Sequence, residues 1–417
     1  MILLVCDHAK REIHNLKTLK NKLNQLNIKS KIINKHSIIR AYNYYKPKII
    51  VFPHARLFLS ENINTLYKKV KLILIPSEHC ALRVEFIKLH YCGYLKGYNI
   101  KSSHNKMDYI FVQGPFIKKH LIKNNYIKKE KLIISGHLHY DFWSNAVEKK
   151  NNQIKNIGIA LTNVLISRRQ KNKNFLKSLF KLNNDIFFVK NYWRLLQLNY
   201  DFYYLCLVFD VIKNLIKNFK VSLRSHVVDV ESKFDFIESN NFTQSNNENS
   251  YEWIKKQDIV ISSVSFMNID AYVFKKPHIS LVNLIPKEFI FKAYKSFTYK
   301  VFREPNSFKP KSIEELKNQI KKIKFKKNKV LDNKLKSFYN YPYKQNPSDI
   351  MSNKLKDIYS ISNNKFKYVE LKKDKFFYKI FGNYFGSFIV YQSAQLINLI
   401  KYRQQSKNWY FDFFYKK

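Results

Sequence analysis

The 417-residue chain carries 76 Lys and Arg against 30 Asp and Glu, a formal net charge of +46, with 45% apolar and 16% aromatic residues. That apolar fraction supplies two or three ordinary cores, as expected of a globular protein, while the charge favours anionic partners such as lipid, nucleotide or nucleic acid. Lys far outnumbers Arg and Gly is scarce, so compositional bias accounts for part of this charge.

The four cysteines, Cys6, Cys80, Cys92 and Cys206, lie far apart and form no C-x-x-C pair, which argues against a zinc finger or a disulfide framework and for a reducing compartment. The opening MILLVCDHAKRE has an apolar run too short for a signal sequence. The most apolar later stretch, Tyr203 to Leu215, is interrupted by Asp210 and Lys213 and falls short of the roughly 20 residues of a membrane span. A cytoplasmic protein without a transmembrane anchor is expected.

Taken in order, Met1–Cys6 reads as a strand ending in Asp7-His8, and Arg11–Leu26 has the spacing of an amphipathic helix. Strands follow at Ser30–Ile33, Lys48–Phe52, Lys71–Ile75, Tyr109–Val112 and Lys131–Ser135, with helical pattern at Asn62–Lys69 and Phe116–Lys123. This β–α alternation predicts a doubly wound parallel sheet. A polar stretch at Glu148–Gln153 marks a boundary, and alternation resumes with Ile157–Leu161, a helical region containing Tyr192–Phe219, and Lys220–Leu223. Asn240–Asn249 reads as a surface loop. Asp258–Val282 then forms a strand, a serine turn, a short helix and a second strand, and Ser312–Ile323 has a capped helix signature. The Lys-rich stretch from Lys324 through Pro347 predicts a linker or an extended crossing. For the aromatic and basic end, Lys375–Lys417, a packed helix and a membrane-interfacial element both stay open. The resulting domains are 1–150, 151–330 and a crossing, helical extension over 331–417.

Polar residues fall repeatedly at the carboxyl ends of these strands, where open parallel sheets bind ligands. In the first half they are Asp7, His8, His54, Glu78, His137 and His139, with Gly136 and Asp141 as further cleft candidates; in the second, Arg224, His226, Ser262, Ser263 and Ser265, with Asp270 on the helix that follows. Glu78 suits a general base or a nucleophile. Arg224 and His226 alternate on one strand face and so address one anion. The serine turn opens a helix, where free N–H groups favour phosphate, although such turns equally serve as caps. His137 and His139 lack a third ligand for a metal.

Four segments, in order, resemble a bacterial surface-carbohydrate and capsule biosynthesis family with GT-B glycosyltransferase architecture. Gly136-His-Leu-His-Tyr-Asp141 is similar to its G-N-P-R-[FY]-D signature, and ILLVCDHAKREIHNLKTL to its opening strand, Arg-Glu pair and helix. LRSHVVDVES resembles its R-P-H-P-x-E strand end, and ISSVSFMNIDAYVFKKPHISL its serine turn, E-A pair and G-K-P-x-I ending. The departures are His-Leu-His for Asn-Pro-Arg, Ser225 and Val227 for two prolines, Asp270 for Glu, and Lys275 for Gly.

The resemblance implies two Rossmann-like domains facing across a cleft, an acceptor domain first and a nucleotide-sugar donor domain second, with the C-terminal extension following. Arg224, His226, Ser262, Ser263, Ser265 and Asp270 would then meet the donor phosphate or nucleotide, and Glu78 would stand near the acceptor. The implied activity is transfer of a sugar, Kdo in some relatives, to a glycan or lipid-linked acceptor, with no metal or other cofactor. An anionic membrane surface is a further expected partner. Alternatives are a nucleotide-sugar 2-epimerase, a polyol-phosphate transferase, a non-catalytic scaffold and a nucleic-acid-binding protein; against the last, no recognition helix, zinc finger or RNA-binding aromatic motif is present.

Overall fold

Fully buried strands of parallel sheets read as continuous apolar runs, and the first such run, Ile2–Cys6, is strand β1 with all five residues buried. The computed structural model describes residues 1–78, 80, 84–95, 98, 99, 101–146, 153–161, 203–225, 237–245, 248–263, 265, 267–286, 307–363 and 366–369. They divide into two compact units, one formed by Met1–Ser144 with the described residues from Val330 onward, the other by Asn145–Lys329.

In the first unit, β1 is followed by α1 (Ala9–Gln25), β2 (Ser30–Asn34), α2 (Ile38–Tyr45), β3 (Ile49–Phe52), α3 (Phe58–Leu66), β4 (Lys71–Leu74) and α4 (Val84–Cys92). The pair β5 (Tyr94–Leu95) and β6 (Tyr98–Asn99) precedes β7 (Tyr109–Val112), α5 (Pro115–Lys123) and β8 (Leu132–Ile134). Six strands form one parallel sheet in the order β2-β1-β3-β4-β7-β8, with Leu4 opposite both Ile32 and Val51. Leu16, Leu19 and Leu23 of α1 share a core with Ile2, Leu4, Ile49 and Val51.

The second unit holds β9 (Asn156–Ala160), a helical run over 203–215, β10 (Lys220–Arg224), β11 (Phe242–Ser245) and α6 (Ser250–Lys256). There follow β12 (Ile259–Ser262), α7 (Met267–Val273), β13 (His278–Ser280), β14 (Ser307–Phe308) and α8 (Ile313–Ile320). These strands also form a six-stranded parallel sheet, ordered β11-β10-β9-β12-β13-β14. Its core joins Ile157, Ile159, Leu223, Ile259 and Ile261 to Tyr204, Val208 and Val211 of the helical run. The expected N-cap of α8 is present, Ser312 Oγ accepting from Glu315 N at 3.1 Å.

Two expectations are corrected. The stretch read as a surface loop over Asn240–Asn249 contains the edge strand β11, whose Phe242–Ser245 pair with Val221–Arg224. An edge strand with polar side chains has little apolar signature, so composition concealed it. The Lys-rich stretch after Lys324 is a linker only briefly, because α9 (Lys329–Tyr339) follows, and α10 (Pro347–Ile361) then falls in the extension expected to be helical. Lysines on the outer face hid a stripe of Leu331, Leu335 and Phe338. α10 places Met351, Leu355 and Ile358 in the core beneath α1, and Lys22 pairs with Asp349 at 2.8 Å. Lys375–Lys417 lies outside the described residues. Among the described residues no helix is long and apolar enough to cross a membrane.

Candidate functional site

Parallel strands bring their carboxyl ends to one edge, and on the first sheet that edge carries a continuous string of charged groups. Asp7 follows β1, Lys35 follows β2, His54 lies just beyond β3 and Glu78 beyond β4. Lys35 Nζ lies 2.5 Å from Asp7 Oδ1, and His54 Nε2 lies 3.0 Å from Asp7 Oδ2. His54 Nδ1 accepts from the Arg56 backbone N–H at 3.4 Å. Against the ionised Asp7 carboxylate, Nε2 is the donor. The Arg56 guanidinium pairs through Nη2 with Glu78 Oε2, and His90 Nδ1 lies 3.0 Å from the same oxygen.

Burial by itself would raise the Asp7 carboxyl, but the hydrogen bonds from His54 and Lys35, reinforced by their charges, outweigh it and hold the group well below the usual carboxylate range. The Glu78 turn is anchored from the neighbouring strand end. Gln113, just after β7, donates to the Glu78 carbonyl at 2.7 Å and accepts from Cys80 N at 3.2 Å. His8 is the exposed N-cap residue of α1, and the buried Glu12 carboxylate turns back to accept from Asp7 N at 2.7 Å and His8 N at 3.2 Å. That satisfies two N–H groups at the helix start and fixes the backbone of Asp7. A largely apolar recess beside this edge is lined in part by Glu12, Pro53, Pro76, Ser77, His137 and Leu138.

The Gly136–Asp141 motif holds the returning chain. Gly136 has φ +82°, and a Cβ there would lie 2.8 Å from both Pro347 Cγ and Tyr343 Cε1. Asp141 Oδ1 accepts from Ser348 N at 2.8 Å in the first turn of α10. Burial raises the Asp141 carboxyl, Ser348 opposes this, and nearby Asp349 adds to it. His137 is buried, its Nδ1 accepting from His139 N at 3.1 Å.

In the second unit Arg224 closes β10 and donates through Nη1 to the Glu248 carbonyl. Burial lowers the Arg224 guanidinium, and the charges of Glu248 and Asp270 oppose that shift. Asp270 is buried in α7. Ser262, at the end of β12, points its Oγ at His278 Nε2, 2.8 Å away, while His278 Nδ1 meets Ser307 Oγ at 2.6 Å. Burial takes His278 down to about 3, with Lys309 contributing in the same direction, so the ring is neutral. Ser263 is buried beyond the strand, and Ser265 Oγ accepts from Met267 N at 3.2 Å to open α7. His226 lies outside the described residues.

Within the first unit, then, Asp7, His54 and Glu78 are joined through Arg56; within the second, Arg224 and Asp270 interact. Lys35, Arg56, His90, Glu248 and His278 were not singled out from sequence. Arg56 carried a signal, standing two residues beyond His54 in the same Pro-His-Ala-Arg turn. Glu248 carried none, because it sits in an asparagine-rich stretch. Among the described residues no group of three His, Cys, Asp or Glu side chains is placed to hold a metal ion.

No family model matches the chain, and no curated protein matches its sequence. Among solved structures, the wall teichoic acid polymerase TagF superposes with a TM-score of 0.50 at 13% identity, over 86% of this chain and 89% of that one. The UDP-GlcNAc 2-epimerase of Methanocaldococcus jannaschii gives 0.47 at 13% identity, over 86% and 100% of the two chains. That of Neisseria meningitidis gives 0.44 at 12%, over 94% and 99%. Identities this low speak to fold alone. The two six-stranded parallel sheets and the TagF superposition give the chain the GT-B architecture of two Rossmann-like domains.

Proposed function

We propose that this protein is a glycosyltransferase of surface-polysaccharide assembly, moving a sugar of the Kdo kind from a nucleotide-activated donor to a glycan or lipid-linked acceptor at the cytoplasmic face of a membrane. The observation that carries the reading is the acid–base string at the carboxyl edge of the first sheet, Lys35–Asp7–His54–Arg56–Glu78–His90. Such a string supplies a carboxylate oriented by fixed donors, which is what removal of an acceptor hydroxyl proton needs. Glu78 takes that proton as the acceptor oxygen bonds to the anomeric carbon and the bond from that carbon to the donor phosphate breaks. The donor nucleotide belongs to the second unit, where Arg224 meets the departing phosphate and the Ser263–Ser265 turn offers N–H and hydroxyl donors. Arg224 supplies the positive charge in this scheme, so the nucleotide-sugar is a substrate and no metal is required.

A polyol-phosphate transferase is the second reading, favoured by the wall teichoic acid polymerase among the matching folds. Nucleotide release from cytidine, uridine, guanosine and thymidine sugars, measured with and without acceptor, separates the possibilities. The expected result is release that requires acceptor, with one nucleotide class raising the melting temperature. Glu78→Gln should then lower turnover more than donor affinity. A sugar altered without acceptor points to an epimerase, and release from CDP-polyols alone to the second reading. Steep salt-dependent binding to nucleic acid with no response to any nucleotide would remove the enzymatic reading.

A further inference from the structure

We propose that α3 and the turn that opens it form the face by which this protein lies on an anionic lipid bilayer. Exposed apolar side chains collect at both ends of this helix. Leu57 at 58% exposure, Phe58 at 47% and Tyr67 at 41% bracket one nine-residue helix, spanning about 15 Å along its axis. Leu57 also holds φ +55° with ψ −135°, a backbone region unfavourable to a branched side chain. It is clamped there, its N–H donating to Lys101 O at 3.0 Å and its carbonyl accepting from Ser60 N at 3.0 Å. A strained turn that keeps an aliphatic side chain in water points to a partner that covers it.

The neighbouring charge identifies that partner. The Lys68 and Lys106 ammonium groups lie 5.6 and 5.5 Å from the Tyr67 ring centroid, and Lys101 stands beside the Leu57 backbone. The acidic residue of the helix's first turn, Glu61, pairs with Lys101 at 3.4 Å. Aromatic and aliphatic side chains set among lysines match the boundary of a bilayer, where rings sit at headgroup level and ammonium groups meet lipid phosphates. Leu57 directly follows Arg56, so the face continues from the turn whose guanidinium holds the proposed acceptor carboxylate, Glu78. The acceptor class is then a lipid-linked saccharide. That last step rests on the function proposed above; lipid binding is measured without donor or acceptor, so the two ideas fail separately.

The experiment is flotation of the full chain with vesicles of phosphatidylcholine alone and of phosphatidylcholine mixed with phosphatidylglycerol. Binding to the anionic vesicles that weakens with salt is expected. Leu57→Asn with Phe58→Ser should weaken it roughly tenfold, Asn being tolerant of positive φ. Lys68→Glu with Lys106→Glu should weaken it by roughly fivefold or more for each lysine lost. Phe58→Trp should add fluorescence that brominated lipid quenches. Equal binding to neutral vesicles, no binding by the parent chain, unchanged partitioning of both paired variants, or an added tryptophan that brominated lipid leaves unquenched would each overturn the assignment.

Discussion

Asp7→Asn tests the charged string at its most constrained point. Asn keeps the shape of Asp but has one acceptor oxygen, so either Lys35 or His54 must face its NH2 group. Two charge-assisted hydrogen bonds are affected, each worth about 1.5–3 kcal/mol in a dry site. The Lys35 side chain is 28% exposed and regains water when its partner is lost, which discounts the sum. A net loss of about 2 kcal/mol at pH 7 is expected, or about 4–8 °C in the melting of a unit this size. The sign with pH follows from the depressed carboxyl. Its contribution is complete above the unfolded value near about 4 and is lost as pH falls toward the folded one. The gap between parent and variant should therefore hold from neutral pH to about pH 5 and narrow below about pH 4. Calorimetry suits the measurement, since it can resolve separate transitions of two units. A gap under about 0.5 kcal/mol at pH 7, or one that does not narrow in acid, would refute the ion-pair account.

Arg224→Ala should weaken binding of the matching nucleotide about tenfold to a hundredfold, the equivalent of one charged hydrogen bond, as read by thermal shift or calorimetry; unchanged affinity would remove it from the phosphate site. Gly136→Ala should destabilise by about 2–4 kcal/mol, because the added methyl meets Pro347 and Tyr343 at a positive φ. Unaltered thermal unfolding would mean that the returning chain yields freely. His278→Gln should flatten the acid side of the stability curve. The unfolded histidine takes up a proton near about pH 6.5 while the buried ring stays neutral down to about 3, so the parent loses up to about 1.4 kcal/mol per pH unit in that window. Equal slopes for parent and variant in urea unfolding at pH 7 and pH 5 would contradict the buried neutral ring.

The sequence located polar groups at strand ends but not their partners. Asp7, His54 and Glu78 were visible because each follows an apolar run that is a buried strand. Arg56 links them only because β1, β3 and β4 are neighbours in the sheet, and strand order leaves no local trace in sequence. Ser262 shows the same limit. Its place after a strand was legible, but its bond to His278 depends on the β12–β13 register, which aligns Val260 with His278 and brings their side chains to one region. The Gly136–Asp141 motif was recognisable by spacing, whereas its packing against Tyr343, Pro347 and Ser348 joins segments some 200 residues apart.

Periodicity and composition alone determined the two parallel α/β halves and the polar character of their strand ends, because burial on both faces demands unbroken apolar runs and the chain must turn at their ends. Tertiary structure decided which ends meet, how Lys35 and Arg56 complete the string, and that α9 and α10 return to the first unit. The physical reason is range. Secondary structure follows from neighbours a few residues apart, while ion pairs and core contacts form between segments that only the folded sheet order brings together.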